Sequence, residues 1–112
     1  MFITQGRLEE VVKNYIDTDI MPKASQMSSV EQFILGVKMG VLKRSMPTVI
    51  KNYVEKPELK LLGVVTDEGI NLDIIYESAK ETMSKIDFIE YGGFRFDTND
   101  IDKLYRLAGG TE

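Results

Sequence analysis

The stretch SVEQFILGVKMGVLKRSM, residues 29–46, carries apolar side chains on two opposite flanks of one helix. At about 100° per residue, Val30, Phe33, Ile34, Val37 and Val41 gather on one face. Leu35, Met39, Leu42 and Met46 gather nearly opposite. A helix that is apolar on two faces is either central to its own fold or shared with a partner. Gly36 and Gly40 fall together on a third side. Each costs helix stability, on the order of 1 kcal/mol against alanine. Close approach of another helix is a physical reason to keep them. Leu35, Met39, Leu42, Met46, Gly36 and Gly40 are therefore the candidate interaction residues, and self-association or another protein is the expected partner. A membrane reading of the Gly-x-x-x-Gly spacing needs an apolar run of about twenty residues, which is missing here.

The flanking elements follow from period and punctuation. Leu8, Val11, Val12, Tyr15, Ile16 and Ile20 recur at helical spacing, predicting a first helix over about Thr4 to Asp19 that ends near Pro22. Ser28 and Glu31 have capping-box spacing, so the second helix runs from Val30 to about Arg44. Pro47 suits the first turn of a short helix through about Val54, and Pro57 that of another, stopped at Gly63. Val64 and Val65 are expected to be extended ahead of the turn TDEG. Asn71 caps a helix over about Leu72 to Ser84. Ile86 to Tyr91, Gly92–Gly93 and Phe94 to Asp97 read as a hairpin with a two-residue type I′ turn. That register sets Ile89 opposite Phe96, Glu90 opposite Arg95 and Tyr91 opposite Phe94. Asp97 or Thr98 caps a last helix to about Ala108, with Gly109 as its stop. The expected fold is one domain over residues 1–112, α+β and mostly helical, with four or five helices, one C-terminal β-hairpin and a final helix. The second helix is expected at its centre, with the first helix and the Leu72–Ser84 helix against it.

The absence of two residue types narrows the chemistry. The chain has no cysteine and no histidine. Disulfides, thiolate nucleophiles, Cys-type zinc sites and triads built on histidine are excluded. The acidic run DTNDIDKLYRLAG fails the calcium-loop pattern at three positions, where Ile101, Asp102 and Ala108 stand. Its carboxylates instead suit a helix N-terminus. Asp73, Glu77 and Glu81 step by four along one helix, but with Lys80 among them they read as a solvated face. No phosphate-loop spacing occurs. The expectation is a protein without catalytic residues, cofactor or metal.

Charge is unevenly spread. Residues 1–60 hold nine Lys and Arg against seven Asp and Glu, and residues 61–112 hold five against eleven. Lys38, Lys43, Arg44 and Lys51 lie in a stretch free of acids, between Glu31 and Glu55. They form a candidate basic patch, and nucleic acid is the alternative partner to protein. With no basic leader and no long apolar run, a soluble cytoplasmic protein is expected, away from membranes.

The segments LLGVVTDEGINLDIIYESAKETM and FRFDTNDIDKLYRLAG, read as turn, helix, strand, cap and helix, resemble small uncharacterised phage and prophage proteins of Gram-positive bacteria. The resemblance covers roughly the C-terminal half. It implies a bacterial or phage cytoplasm and assigns no activity. The reading as a whole is a non-enzymatic interaction or assembly module that self-associates, with a nucleic-acid-associated regulator as the alternative.

Overall fold

Thr4 is extended and its hydroxyl accepts the Arg7 amide at 3.1 Å, so the first helix begins at the next residue. The structure, a computed structural model, describes residues 1–91 and 94–109. Helix α1 covers Gln5–Tyr15. It does not run on to Asp19 as an α-helix. Ile16–Ile20 widens into a π-helical turn, and Met21–Gln26 tightens into a 3₁₀ turn with Pro22 near its start. The Thr18 hydroxyl donates to the Asn14 carbonyl at 2.8 Å where the ladder changes. Both Ile16 and Ile20 are buried by this change of pitch.

Helix α2 spans Ser29–Val54, 26 residues. The expected box forms: the Glu31 amide donates to Ser28 Oγ and the Ser28 amide to Glu31 Oε1, each at 3.2 Å. Pro47 does not start a new helix; it lies inside this one. A proline in a helix interior costs about 3 kcal/mol, because its ring removes one ladder hydrogen bond. Met46 and Ile50 on either side are buried, and each buried side chain of that size returns about 1.5–3 kcal/mol. Keeping one straight rod past Pro47 therefore outweighs breaking it.

Pro57–Leu61 forms α3, and Gly63 closes it at φ +76°. Strands β1 (Phe2–Ile3), β2 (Val65–Thr66) and β3 (Gly69–Asn71) make a small antiparallel sheet in the order β1-β3-β2. Ile3 and Val65 both pair with Ile70. The sequence pattern indicates only the extended Val64–Val65 piece, because strands of two or three residues show no period. Asn71 caps α4, Leu72–Ile86, through its side chain.

The hairpin of β4 (Phe88–Tyr91) and β5 (Phe94–Asp97) has the expected register: Ile89 with Phe96, Glu90 with Arg95 and Tyr91 with Phe94. The expected Gly92–Gly93 turn and the Tyr91 side chain lie outside the described residues. Asp97 caps α5, Thr98–Leu107, and Gly109 follows at φ +102°. The fold is α+β and mostly helical, with five α-helices among the described residues.

Two apolar clusters hold these elements. Tyr15, Ile16, Ile20, Ala24, Leu35, Met39 and Phe94 form the first. Ile3, Val11, Ile70, Leu72, Tyr105 and Ala108 form the second. Leu104 packs against both. The expected centre is corrected here. Helix α2 packs on α1 and the 3₁₀ turn, whereas α4 packs on α5, and α5 on α1. Helices α1 and α5 therefore occupy the middle and α2 flanks them. The reason is that the stripes of α1 and α5 meet at Leu104, so α4 packs on α5 and only Val54, at the end of α2, joins the cluster that holds Leu72.

Two substitutions test this description. A Cβ at Gly69 would sit 2.7 Å from the Ile3 carbonyl oxygen, with φ at +124°. Gly69→Ala is expected to cost about 1–3 kcal/mol and lower the melting temperature by several degrees, through strain at the β1–β3 pair. Pro47→Ala restores the missing ladder bond and is expected to stabilise the chain by about 1–2 kcal/mol, read by urea unfolding.

Candidate functional site

Helix α2 presents one apolar face inward and one outward, and the faces are exchanged relative to expectation. Leu35, at 0% exposure, Met39 and Met46 are buried, and Leu42 packs against the first cluster. Leu35, Met39 and Met46 therefore belong to the chain's own core, and Leu42 lies half-buried at its edge. The opposite stripe is the bare one: Val30 is 68% exposed, Phe33 73% and Val37 51%, with Ile34 and Val41 exposed beside them. The inward choice is set by what the α1 and π-helical stripe meets. Leu and Met carry no branch at Cβ, and Leu35 and Met39 pack with Tyr15, Ile16 and Ile20 in one cluster. Gly36 and Gly40 receive no other helix. A Cβ at Gly36 would meet nothing within 4 Å, and one at Gly40 only the Arg44 side chain at 3.7 Å.

Two of the four candidate cations, Lys43 and Arg44, wall one polar cleft together with Lys13, Asp17 and Gly40. Lys43 Nζ pairs with Asp17 Oδ1 at 2.8 Å. Arg44 lies along its own helix over Gly40. Relative to Lys38, helical geometry turns Lys43 by roughly 140°, Lys51 by roughly 220° and Arg44 by roughly 240°. Lys43, Lys51 and Arg44 thus fall within roughly 100° of the helix circumference, and Lys38 stands outside that arc.

A second polar cluster sits where α1, α4 and α5 meet. Tyr15, 1% exposed, donates its hydroxyl hydrogen bond to Asp100, itself 4% exposed. Asp100 also accepts the Asp97 amide at 2.9 Å and completes the capping box of α5. Burial, then the hydrogen bond and the charge of Asp100, push the Tyr15 hydroxyl well above its ordinary value. At the outer end, Tyr76 and Tyr105 stack with centroids 4.0 Å apart and 13° between planes. Tyr76 donates to Asp102 at 2.6 Å and Tyr105 donates to Asp73. Lys80 reaches the Tyr76 oxygen at 3.2 Å. The Met1 ammonium lies 2.6 Å from Asp73 Oδ2. That ammonium first, and Tyr105 second, hold the Asp73 carboxyl below the usual carboxylate range. Asp73, expected on a solvated face with Glu77 and Glu81, is half-exposed there and held by the Met1 ammonium and Tyr105, while those two are exposed.

Tyr15 and Asp100 are sealed from solvent and satisfy one another. No buried side-chain polar atom among the described residues lacks a partner. Among the same residues no group of three or more carboxylates is placed to hold a metal ion. No helix among them is long and apolar enough to cross a membrane. Comparison with protein-family models, with curated proteins and with solved structures returned no match.

The burial of Asp100 is the feature that the sequence hides. Asp100 reads as one more first-turn carboxylate. The available signal is Tyr15, which stands on an apolar stripe and so needs a buried partner for its hydroxyl.

Removing that hydroxyl leaves Asp100 buried with one donor fewer. Tyr15→Phe is expected to cost about 1–3 kcal/mol in urea unfolding. Because the folded state raises the Tyr15 value, its contribution is complete below the ordinary value of 10.0 and falls as pH rises beyond it. The alkaline loss of stability should therefore be shallower in Tyr15→Phe than in the parent chain. Asp73 works in the opposite sense. Its contribution is present above the ordinary carboxylate value and is lost as pH falls, so Asp73→Asn should flatten the acid limb.

Proposed function

We propose that this chain is a non-enzymatic interaction module that self-associates through the outward face of α2. The observation that carries the reading is the exposed stripe of Val30, Phe33, Ile34, Val37 and Val41. Five neighbouring apolar side chains on one rigid rod form a contiguous patch, unlike the scattered apolar residues of an ordinary surface.

The total surface supports the same reading. A compact monomer of 12.7 kDa exposes about 6,200 Å². This chain exposes 7064 Å². The excess, roughly 800 Å², is what one partner contributes to a standard interface. The molecule measures 46 × 28 × 22 Å, and its radius of gyration of 14.8 Å exceeds the roughly 13 Å of a compact chain this long.

A second copy is the partner that the face fits. Antiparallel pairing of two α2 rods sets the Glu31 end of one against the Arg44 and Lys51 end of the other. It also opposes the helix dipoles favourably. One self-complementary patch is enough for a closed two-fold dimer. A phage or prophage setting, carried by the resemblance of the C-terminal half, belongs to the same proposal.

Sedimentation velocity across a hundredfold range of concentration, roughly micromolar to a tenth of millimolar, tests the reading. A reversible dimer is expected, and Phe33→Glu together with Val37→Glu should abolish it while leaving the far-ultraviolet spectrum unchanged. A parent chain that stays monomeric throughout this range would overturn the proposal.

A further inference from the structure

Helix packing does not account for Gly40, since a Cβ there would meet only the Arg44 side chain. We infer that the cleft which Gly40 helps to wall, between α1 and α2, binds a small molecule through a phosphate monoester group.

Lys13 on α1, Asp17 in the π-helical turn, and Gly40, Lys43 and Arg44 on α2 wall this cleft. Its volume is about 540 Å³, within the range of small-molecule sites. Arg44 folds back over its own helix, and its Nη1 lies 3.7 Å from where a Cβ at Gly40 would stand. The guanidinium thus rests near the helix backbone rather than reaching out into solvent. An alanine at position 40 would make ordinary contact with it, whereas a longer side chain would fill the cleft. Glycine keeps the floor open and lets a ligand approach the backbone closely.

Three cations against one carboxylate leave an excess of two positive charges on these walls. Asp17 is engaged by Lys43 at 2.8 Å and holds that ammonium in place. Lys13 and Arg44 enter no ion pair among the described residues. Helix α2 carries no acid between Glu31 and Glu55, so nothing along the rod offsets them. The chain as a whole carries a net charge of -4, so this excess is local. A phosphate monoester bears a charge of about -1.5 to -2 near pH 7, which matches it. Arg44 supplies a planar fork of donors, and the two lysines supply point charges. A phosphodiester strand fits less well, because it carries one charge per phosphate and asks for a row of cations. Lys51 stands about 10 Å further along the rod, and Lys38 lies outside the arc. Neither of these walls the cleft. The site uses α1 and the flank of α2, so it does not rest on self-association through the outward stripe.

Titration of the full chain with methyl phosphate at constant ionic strength, followed through backbone amide resonances and Arg44 Nε, tests the assignment. Saturable binding is expected, with shifts centred on Lys13, Asp17, Gly40, Lys43 and Arg44. Dimethyl phosphate, the singly charged diester, should bind about tenfold or more weakly, the loss expected of one charge-assisted contact. Lys13→Gln with Arg44→Gln should weaken methyl phosphate by about tenfold or more as well. Lys51→Gln, which removes a cation outside the cleft, should change it less than about twofold. Gly40→Leu should abolish binding while raising the melting temperature, since leucine is much the better helix former. That pairing separates a filled cleft from a damaged fold. Absence of saturable shifts overturns the inference. So does affinity indifferent to Gly40→Leu or to the loss of Lys13 and Arg44, or as sensitive to Lys51→Gln as to that pair. Tighter binding of an oligothymidylate without a terminal phosphate, or of a phosphoserine peptide over phosphoserine itself, would assign the face to a macromolecule and overturn it equally.

Discussion

The hydrogen bond between Tyr15 and Asp100 is the contact on which the rest of the arrangement depends. It joins the end of α1 to the first turn of α5 across 85 positions of sequence. Asp100 also closes the capping box on Asp97, the last residue of the hairpin. One buried carboxylate therefore fixes three things together: where β5 ends, where α5 begins and how α5 crosses α1. Burying a charge without partners would cost several kcal/mol. Here a phenol, a backbone amide and the helix N-terminus meet it. The cost is turned into a demand for one geometry, because any slip of α5 along α1 would strand both groups.

That geometry explains why α2 is bare on one side. With α1 and α5 locked together, Tyr15, Ile16 and Ile20 have a single free flank, and α2 covers it with Leu35 and Met39. Helix α4 is held on the far side by the Tyr76–Tyr105 stack and its carboxylates. Nothing within the described chain reaches the Val30–Val41 face. An amphipathic helix ordinarily hides its grease against its own domain. This rod, about 39 Å long at 1.5 Å per residue, has apolar residues to spare. The unused stripe is the physical basis of the proposed association.

The same lock leaves the hairpin incompletely seated. Phe94 is buried, but Ile89 on the same apolar face remains 45% exposed. Two small clusters touching at Leu104 pack less completely than one continuous core, and apolar grooves lie on either side of that junction. Packing inside a small domain is normally close to crystal density.

Much of the local structure was legible in the sequence, because caps and turns are decided by neighbouring residues. The Ser28–Glu31 box, the Asn71 cap, the Asp97 cap and the hairpin register all rest on interactions spanning only a few positions. The fold class followed from these pieces. What lay beyond reach were choices between locally equal options. Sequence placed grease on both flanks of α2 but did not say which flank the Tyr15 stripe would take. Pro47 marked a helix start by local rules, and only the burial of Met46 and Ile50 on either side kept the rod intact. Asp100 looked like any first-turn carboxylate until the partner from α1 arrived. Periodicity and punctuation set the elements, since they act along the chain. The facing of α2, the burial of Asp100 and the groove beneath the hairpin were decided only by tertiary contact, since each depends on groups distant in sequence competing for the same space.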